Sequence, residues 1–457
     1  MNRLQPYRAK VLVSAAMFLM LLGACNFDVE NPGPTADGFL DSLVAHQAVM
    51  VGARRDLAIA MQNITYWGAA MTYEINPAGS TGSYGIPSYI QAGRFDEFDS
   101  GDWNVTQRAR WVAEDAYDRF ARSLAAIEGA PALASYELAA WVRLYAGYAN
   151  RLLGENFCQV TFNGGGVESH TAAFQRAEGY FTDAIAIATA AGNTSLATAA
   201  RAGRASVRAN LASYGLASWA DAVADAGAVP NDFVFSIPYS TQQQSQFNFI
   251  HFANGNEPYR AHTIWGTFYE DYFTSTGDPR VSWEIGDCPD CPDPLNPTGD
   301  AAVDKFGGQV PWYPQTKFDQ RDSPINLSSG WEMRLIEAEA ALVGGDFAAA
   351  AALMNQRRET DLGLAPVAPT TPAEGWDALK AERAFELWLE GRRMGDIRRW
   401  IDNAVPGALH DVVFWDSDGN GTKEITDLVA NNHRGYPIGL SERETNENVQ
   451  NAVSYCQ

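Results

Sequence analysis

The sequence predicts a mostly α-helical protein, built from stacked helix pairs forming a curved scaffold, with a long irregular face and few short strands. Three observations carry this. Ala-rich segments with apolar residues at helical spacing recur in pairs, separated by Gly, Pro or Asn. Two long stretches, 66–103 and 228–329, are instead dense in turn-forming residues and aromatics. The 457 residues are 46% hydrophobic, which supports a sizeable core.

The chain opens on Arg3, Arg8 and Lys10, then an apolar run over 11–22 that is too short to span a bilayer comfortably and suits a secretory leader. The run ends in Leu22-Gly23-Ala24-Cys25, which resembles a bacterial lipobox. Residues 1–24 are therefore expected to be a lipoprotein signal peptide, with Cys25 lipidated and anchored almost permanently to a membrane. Residues 25–36 hold Pro32 and Pro34 and read as an extended tether.

The next region, 37–227, predicts a first helix over 37–62, then loop over 66–103. Helix pairs follow at 107–128 with 132–153 and at 171–191 with 194–212, and a short helix at 216–226. The Tyr and Ala spacing over 136–154 is similar to tetratricopeptide repeats, although no strict repeat period is visible. Region 228–330 is irregular and aromatic-rich, with a strand expected at 233–237. Region 331–457 predicts helices at 331–343 and 347–359 around Gly344-Gly345. One long helix over 371–400 comes next, started by Pro372 and Glu374.

The formal net charge is −22, which argues against nucleic acid and anionic lipid surfaces as partners. Apart from Cys25, four cysteines remain: Cys158, Cys288, Cys291 and Cys456. In an exported protein they suggest disulfides. Cys288 and Cys291 are spaced to close a small loop, which leaves Cys158 for Cys456. All three connectivities remain open.

The run Glu382-Arg383-Ala384-Phe385-Glu386-Leu387-Trp388-Leu389-Glu390-Gly391-Arg392-Arg393, followed by Asp396-Ile397-Arg398-Arg399-Trp400, resembles the C-terminal signature of the SusD/RagB family of outer-membrane nutrient-binding lipoproteins. A second block, Tyr436-Pro437-Ile438-Gly439-Leu440-Ser441-Glu442 and then Asn446, Asn448, Gln450 and Asn451, fits the family, which more often has Pro at the position of Gly439. The resemblance implies a surface lipoprotein of the outer membrane, facing the cell exterior. It would bind an oligosaccharide or peptide nutrient on loops beside the helical scaffold and deliver it to a SusC-like TonB-dependent transporter. A lipoprotein scaffold that uses helix pairs to bind protein partners is the alternative reading, and a secreted hydrolase a third.

Site residues are less sharply marked. Asp416, Asp418, Asn420, Thr422 and Asp427 follow the spacing of a Ca²⁺ loop, with Gly421 at the sharp turn and Asp in place of the final Glu. A structural Ca²⁺ site and a polar hairpin turn are both open readings, because Lys423 stands where the loop is usually apolar and the flanks are not helical in pattern. Trp67, Tyr73, Trp265, Tyr269, Trp312 and Tyr313 lie in irregular sequence and are candidates to stack on sugar faces, with core packing as the competing role of each. Asn76, Gln91 and Arg94 are nearby hydrogen-bonding groups. The chain contains no G-x-S-x-G, H-E-x-x-H, Walker or dinucleotide fingerprint, so the expected protein is a binder without a catalytic cofactor.

Overall fold

The computed structural model describes residues 37–78, 101–254, 259–291, 293–299, 310–410, 413–415, 424–426 and 435–453, and structural statements below concern these. Cys25 with its flanks, Gln91, Arg94, the five candidate Ca²⁺ ligands and Cys456 lie outside them. In chain order, α1 spans His46–Met71, α2 Gly101–Ala126, α3 Glu137–Asn156, α4 His170–Ala190, α5 Thr194–Ser213 and α6 Trp219–Gly227. The irregular region holds α7 (Phe249–Asn254) and α8 (Phe268–Thr276). After it come α9 (Gly330–Val343), α10 (Phe347–Thr360), α11 (Pro372–Glu386), α12 (Arg393–Asp402) and α13 (Leu440–Thr445). The strands form four two-stranded antiparallel ribbons: β1 (Asn76–Pro77) with β5 (His262–Thr263), β2 (Gln159–Val160) with β3 (Glu168–Ser169), β4 (Val234–Ile237) with β6 (Ile325–Ser329), and β7 (Val413–Trp415) with β8 (Glu424–Thr426). No helix here is long and apolar enough to cross a membrane.

Consecutive helices pack on one another from α1 to α6; α6 then packs on α9, and α9 on α10 and α11. Local signals set these boundaries well. Asn193 accepts from the Leu196 amide, Asp346 from Ala349 and Thr371 from Glu374, each satisfying an orphan donor of a first turn. Small residues set the packing distance. A Cβ on Gly147 of α3 would stand 2.7 Å from the Phe181 ring, so glycine there lets α4 approach α3 with that ring between them.

Four expectations are corrected. The first helix starts at His46, because 37–45 forms 3₁₀ turns, and it runs on to Met71, through residues read as loop. Tyr66, Ala69, Ala70 and Met71 are buried, and tertiary burial extends the helix. The helix expected from 107 begins at Gly101, and the one expected from 216 begins at Trp219. The single helix over 371–400 is two, α11 and α12, with a break at 387–392. There Leu389 (φ 57°) and Gly391 (φ 68°) are left-handed. The break is held from outside. Glu74 Oε1 accepts from the Leu389 amide at 2.8 Å, and Lys317 Nζ donates to the Trp388 carbonyl at 2.6 Å and to Glu390 at 2.8 Å.

The break aims the charged residues of the signature run into the interior. Arg392 lies between Glu155 (3.0 Å) and Glu332 (2.8 Å). Arg383 and Arg399 both bind Asp396, and Arg399 also binds Glu339. Arg398 donates to the carbonyls of Phe157, Gly154 and Glu155, and Arg393 to those of Leu409 and His410. All of these side chains are buried, so the C-terminal third is tied to α3 and α9 by paired charges. Burial pushes the Asp396 carboxyl up, but Arg383 and Arg399 outweigh it and hold the group at about 2, against 3.8 ordinarily. A lowered folded-state value stabilises above the unfolded value and is lost as pH falls through the folded one. Asp396→Asn is therefore expected to destabilise at pH 7, and its deficit against wild type to shrink as pH falls from about 4 to about 2 in urea titrations.

Candidate aromatic binding site

The site is built around Thr263. The β1–β5 ribbon pairs Asn76 with Thr263 and Pro77 with His262. The Thr263 hydroxyl donates to the Pro311 carbonyl at 2.7 Å and accepts from the amides of Trp265 (3.1 Å) and Tyr313 (3.0 Å). The Ile264 amide donates to the Tyr313 carbonyl, and Asn76 Nδ2 donates to the Trp265 carbonyl at 2.9 Å. Two distant segments, 262–265 and 311–313, are thus fixed side by side by one threonine. Both aromatic side chains at this junction, Trp265 and Tyr313, are half-buried.

Tyr313 stacks on Trp283, centroids 4.6 Å apart and rings 11° from parallel, and Phe273 meets the Trp283 ring edge-to-face at 6.0 Å. Trp283 is half-buried too, and its Nε1 has no acceptor among the described residues. Burial, with Glu270 second, raises the Tyr313 hydroxyl above its ordinary range, so the phenol stays a neutral donor. Glu270 itself accepts from the Gly266 amide. The corner therefore offers flat apolar rings edged by an amide, a phenol and a carboxylate, the combination that fits the CH face and hydroxyl edge of a sugar.

Of the six aromatics expected at the site, the structure brings together Trp265 and Tyr313, through the backbones that Thr263 joins. Trp67 is half-buried on α1 against the main core, and no ring contact joins it to the other two among the described residues. The remaining three are corrected to core roles. Tyr269 is fully buried, stacked on Trp388 at 5.4 Å. Trp312 packs on the Cys288–Cys291 disulfide, which has formed. Tyr73 is buried against Ile397. Irregular sequence misled here: Tyr269 lies in a helix whose Phe268, Tyr269, Tyr272 and Phe273 share one side, a spacing that could have marked them as packing residues. Trp283 was missed among the many aromatics of 228–330, and nothing in its local sequence distinguishes it. Cys158 is disulfide-bonded, and its partner lies outside the described residues. Strand β7 directly precedes the candidate Ca²⁺ segment 416–427, and its partner β8 occupies positions 424–426 within that segment.

The fold and the corner together are a helical scaffold that carries a half-buried aromatic cluster on its irregular segments. Residues 238–455 match the SusD family. The fold is similar to a SusD homolog from Bacteroides thetaiotaomicron (15% identity, 88% of this chain and 95% of that one, TM-score 0.63). It is also similar to a SusD superfamily protein from the same organism (14%, 90% and 99%, TM-score 0.63) and a SusD-like carbohydrate binding protein from Bacteroides vulgatus (14%, 90% and 98%, TM-score 0.61). No curated protein matches the chain. The resemblance carried by the signature run is thus borne out over residues 238–455, and the fold as a whole is that of SusD-like proteins. The second block also has its structural reason: a Cβ at Gly439 would stand 2.8 Å from the Trp103 side chain, so a buried tryptophan occupies the space a proline there would need.

Proposed function

We propose that this protein binds an oligosaccharide nutrient at the Trp265–Tyr313–Trp283 corner and delivers it to a SusC-like TonB-dependent transporter in the outer membrane. The observation that carries the binding half is the stacked, half-buried ring pair Trp283–Tyr313 fixed beside Trp265 by Thr263. Support for the delivery half comes from the family match over 238–455 and from the lipobox-like Leu22-Gly23-Ala24-Cys25, which is consistent with a lipid anchor at Cys25. In this reading the protein does no covalent chemistry. Affinity purification of the Cys25-anchored chain from solubilised outer membrane is expected to bring down a TonB-dependent transporter in near-stoichiometric amount. Recovery of only periplasmic or inner-membrane proteins would sink the delivery role and favour a protein-binding scaffold.

Segment 416–427, within which 424–426 form β8, is proposed as a structural Ca²⁺ site, with Asp416, Asp418, Asn420, Thr422 and Asp427 as the oxygen ligands. Ca²⁺ bound only by the folded state raises the melting temperature by mass action. Chelation is therefore expected to lower it and added Ca²⁺ to restore it; an unchanged melt would leave a plain hairpin turn.

A further inference from the structure

We infer that a second site, a groove between α1 and the 238–246 segment, binds the carboxylate of one uronic-acid residue of an acidic glycan. This rests on the glycan-binding reading above but uses different residues. The groove has a volume of about 230 Å³, below the roughly 300–1,000 Å³ of pockets for drug-sized ligands, so it has room for one ring. Val51, Ala58, Ile59 and Pro238 give it apolar walls, and Ser240, Ser245 and Gln246 a polar one. Its wall is set in advance. Tyr239 Oη donates to the Ala58 carbonyl at 3.1 Å, and the loop is closed by the Ser240 amide on the Gln246 carbonyl.

Charge selects the ligand. The groove is lined by Arg54 and Arg55 and by no carboxylate, in a protein of net charge −22. Arg54 is half-buried and makes no ion pair or hydrogen bond among the described residues. Arg55 has only Asp56 at 3.7 Å, and Asp56 is also approached by Arg108 at 3.3 Å. Beneath the same loop, Gln62 Nε2 donates to the Ser245 carbonyl while its buried Oε1 has no donor among these residues. A planar guanidinium with no ion pair or hydrogen bond among the described residues, above an apolar floor and beside hydroxyl and amide groups, matches a ring that carries a carboxylate on one edge and hydroxyls on another.

The test is ligand-observed NMR titration of the full chain with D-galacturonic acid, D-glucuronic acid and neutral D-galactose, on wild type, Arg54→Gln, Arg54→Lys and Trp265→Ala. Expected are saturable binding of a uronate, at least about tenfold weaker binding of galactose, and a similar loss in Arg54→Gln. Arg54→Lys should fall between, because it keeps the charge but not the fork. Unfolding of Arg54→Gln should match wild type, because Arg54 holds no other group, and Trp265→Ala should keep its uronate signal. Equal binding of galactose and uronate, or uronate binding indifferent to Arg54, overturns the inference. If neutral oligosaccharides still bind at Trp265 in that case, the nutrient-binding reading survives; if no sugar binds anywhere, both fall.

Discussion

Replacing Arg392 by methionine is expected to lower the free energy of unfolding by about 3–5 kcal/mol, the range for removing one partner of a buried ion pair. Arg392 is enclosed by Glu155 and Glu332, with Ser206 accepting from its Nη2 at 2.6 Å. Burial alone would lower its proton affinity, and the two carboxylates more than reverse that. Without Arg392 both carboxylates turn to Arg151, whose Nε is 3.5 Å from Glu155 and which is itself buried. The loss therefore comes from uncompensated buried charge, not from missing apolar contact. Combining Arg392→Met with Arg151→Met, Glu155→Leu and Glu332→Leu is expected to recover much of it, because a well-packed apolar replacement of a whole buried ion group is often neutral or better. Urea midpoints of the single and quadruple variants decide this. A single variant within about 1 kcal/mol of wild type would show that the charges are not coupled as the structure places them.

Tyr269→Ala is expected to cost about 3–5 kcal/mol, as for other large-to-small changes of buried aromatics. Its ring is fully buried between Trp388 and the edge of Phe385. Truncation opens a cavity beneath the break of the signature run. Tyr313→Ala is expected to behave oppositely. That ring is half-buried and, among the described residues, stacked on Trp283 alone, so stability should fall by about 1 kcal/mol and the main loss should be in ligand binding. Thermal melts and binding titrations on the two variants separate core aromatics from surface ones. Loss of binding by a well-folded Tyr269→Ala together with normal binding by Tyr313→Ala would reverse the assignment.

The contrast between these two tyrosines shows where sequence reasoning stops. Helices bounded by local signals were legible, such as α5 behind Asn193 and α10 behind Asp346, because the deciding hydrogen bonds lie within a few residues. The Cys288–Cys291 bridge was legible for the same reason. The break at 387–392 was not, because its local sequence favours helix and the groups that hold it, Glu74 and Lys317, are distant in the chain. Half of the candidate site suffered likewise. Trp265 and Tyr313 stand in turn-rich sequence as Trp312 does, and only the Thr263 hydrogen bonds and the packing of Trp312 on the disulfide distinguish them. The family signature lies in residues that knit the core, so it identifies the fold far better than it identifies the ligand.

The most direct test of the central claim is to titrate the full chain, wild type and with Trp265→Ala, against a panel of neutral oligosaccharides, following tryptophan fluorescence. The account predicts saturable binding of at least one glycan class by wild type and its loss, by about tenfold or more, in a Trp265→Ala variant that melts at the wild-type temperature. Wild type that binds no member of the panel, or binds with equal strength after the replacement, would contradict it.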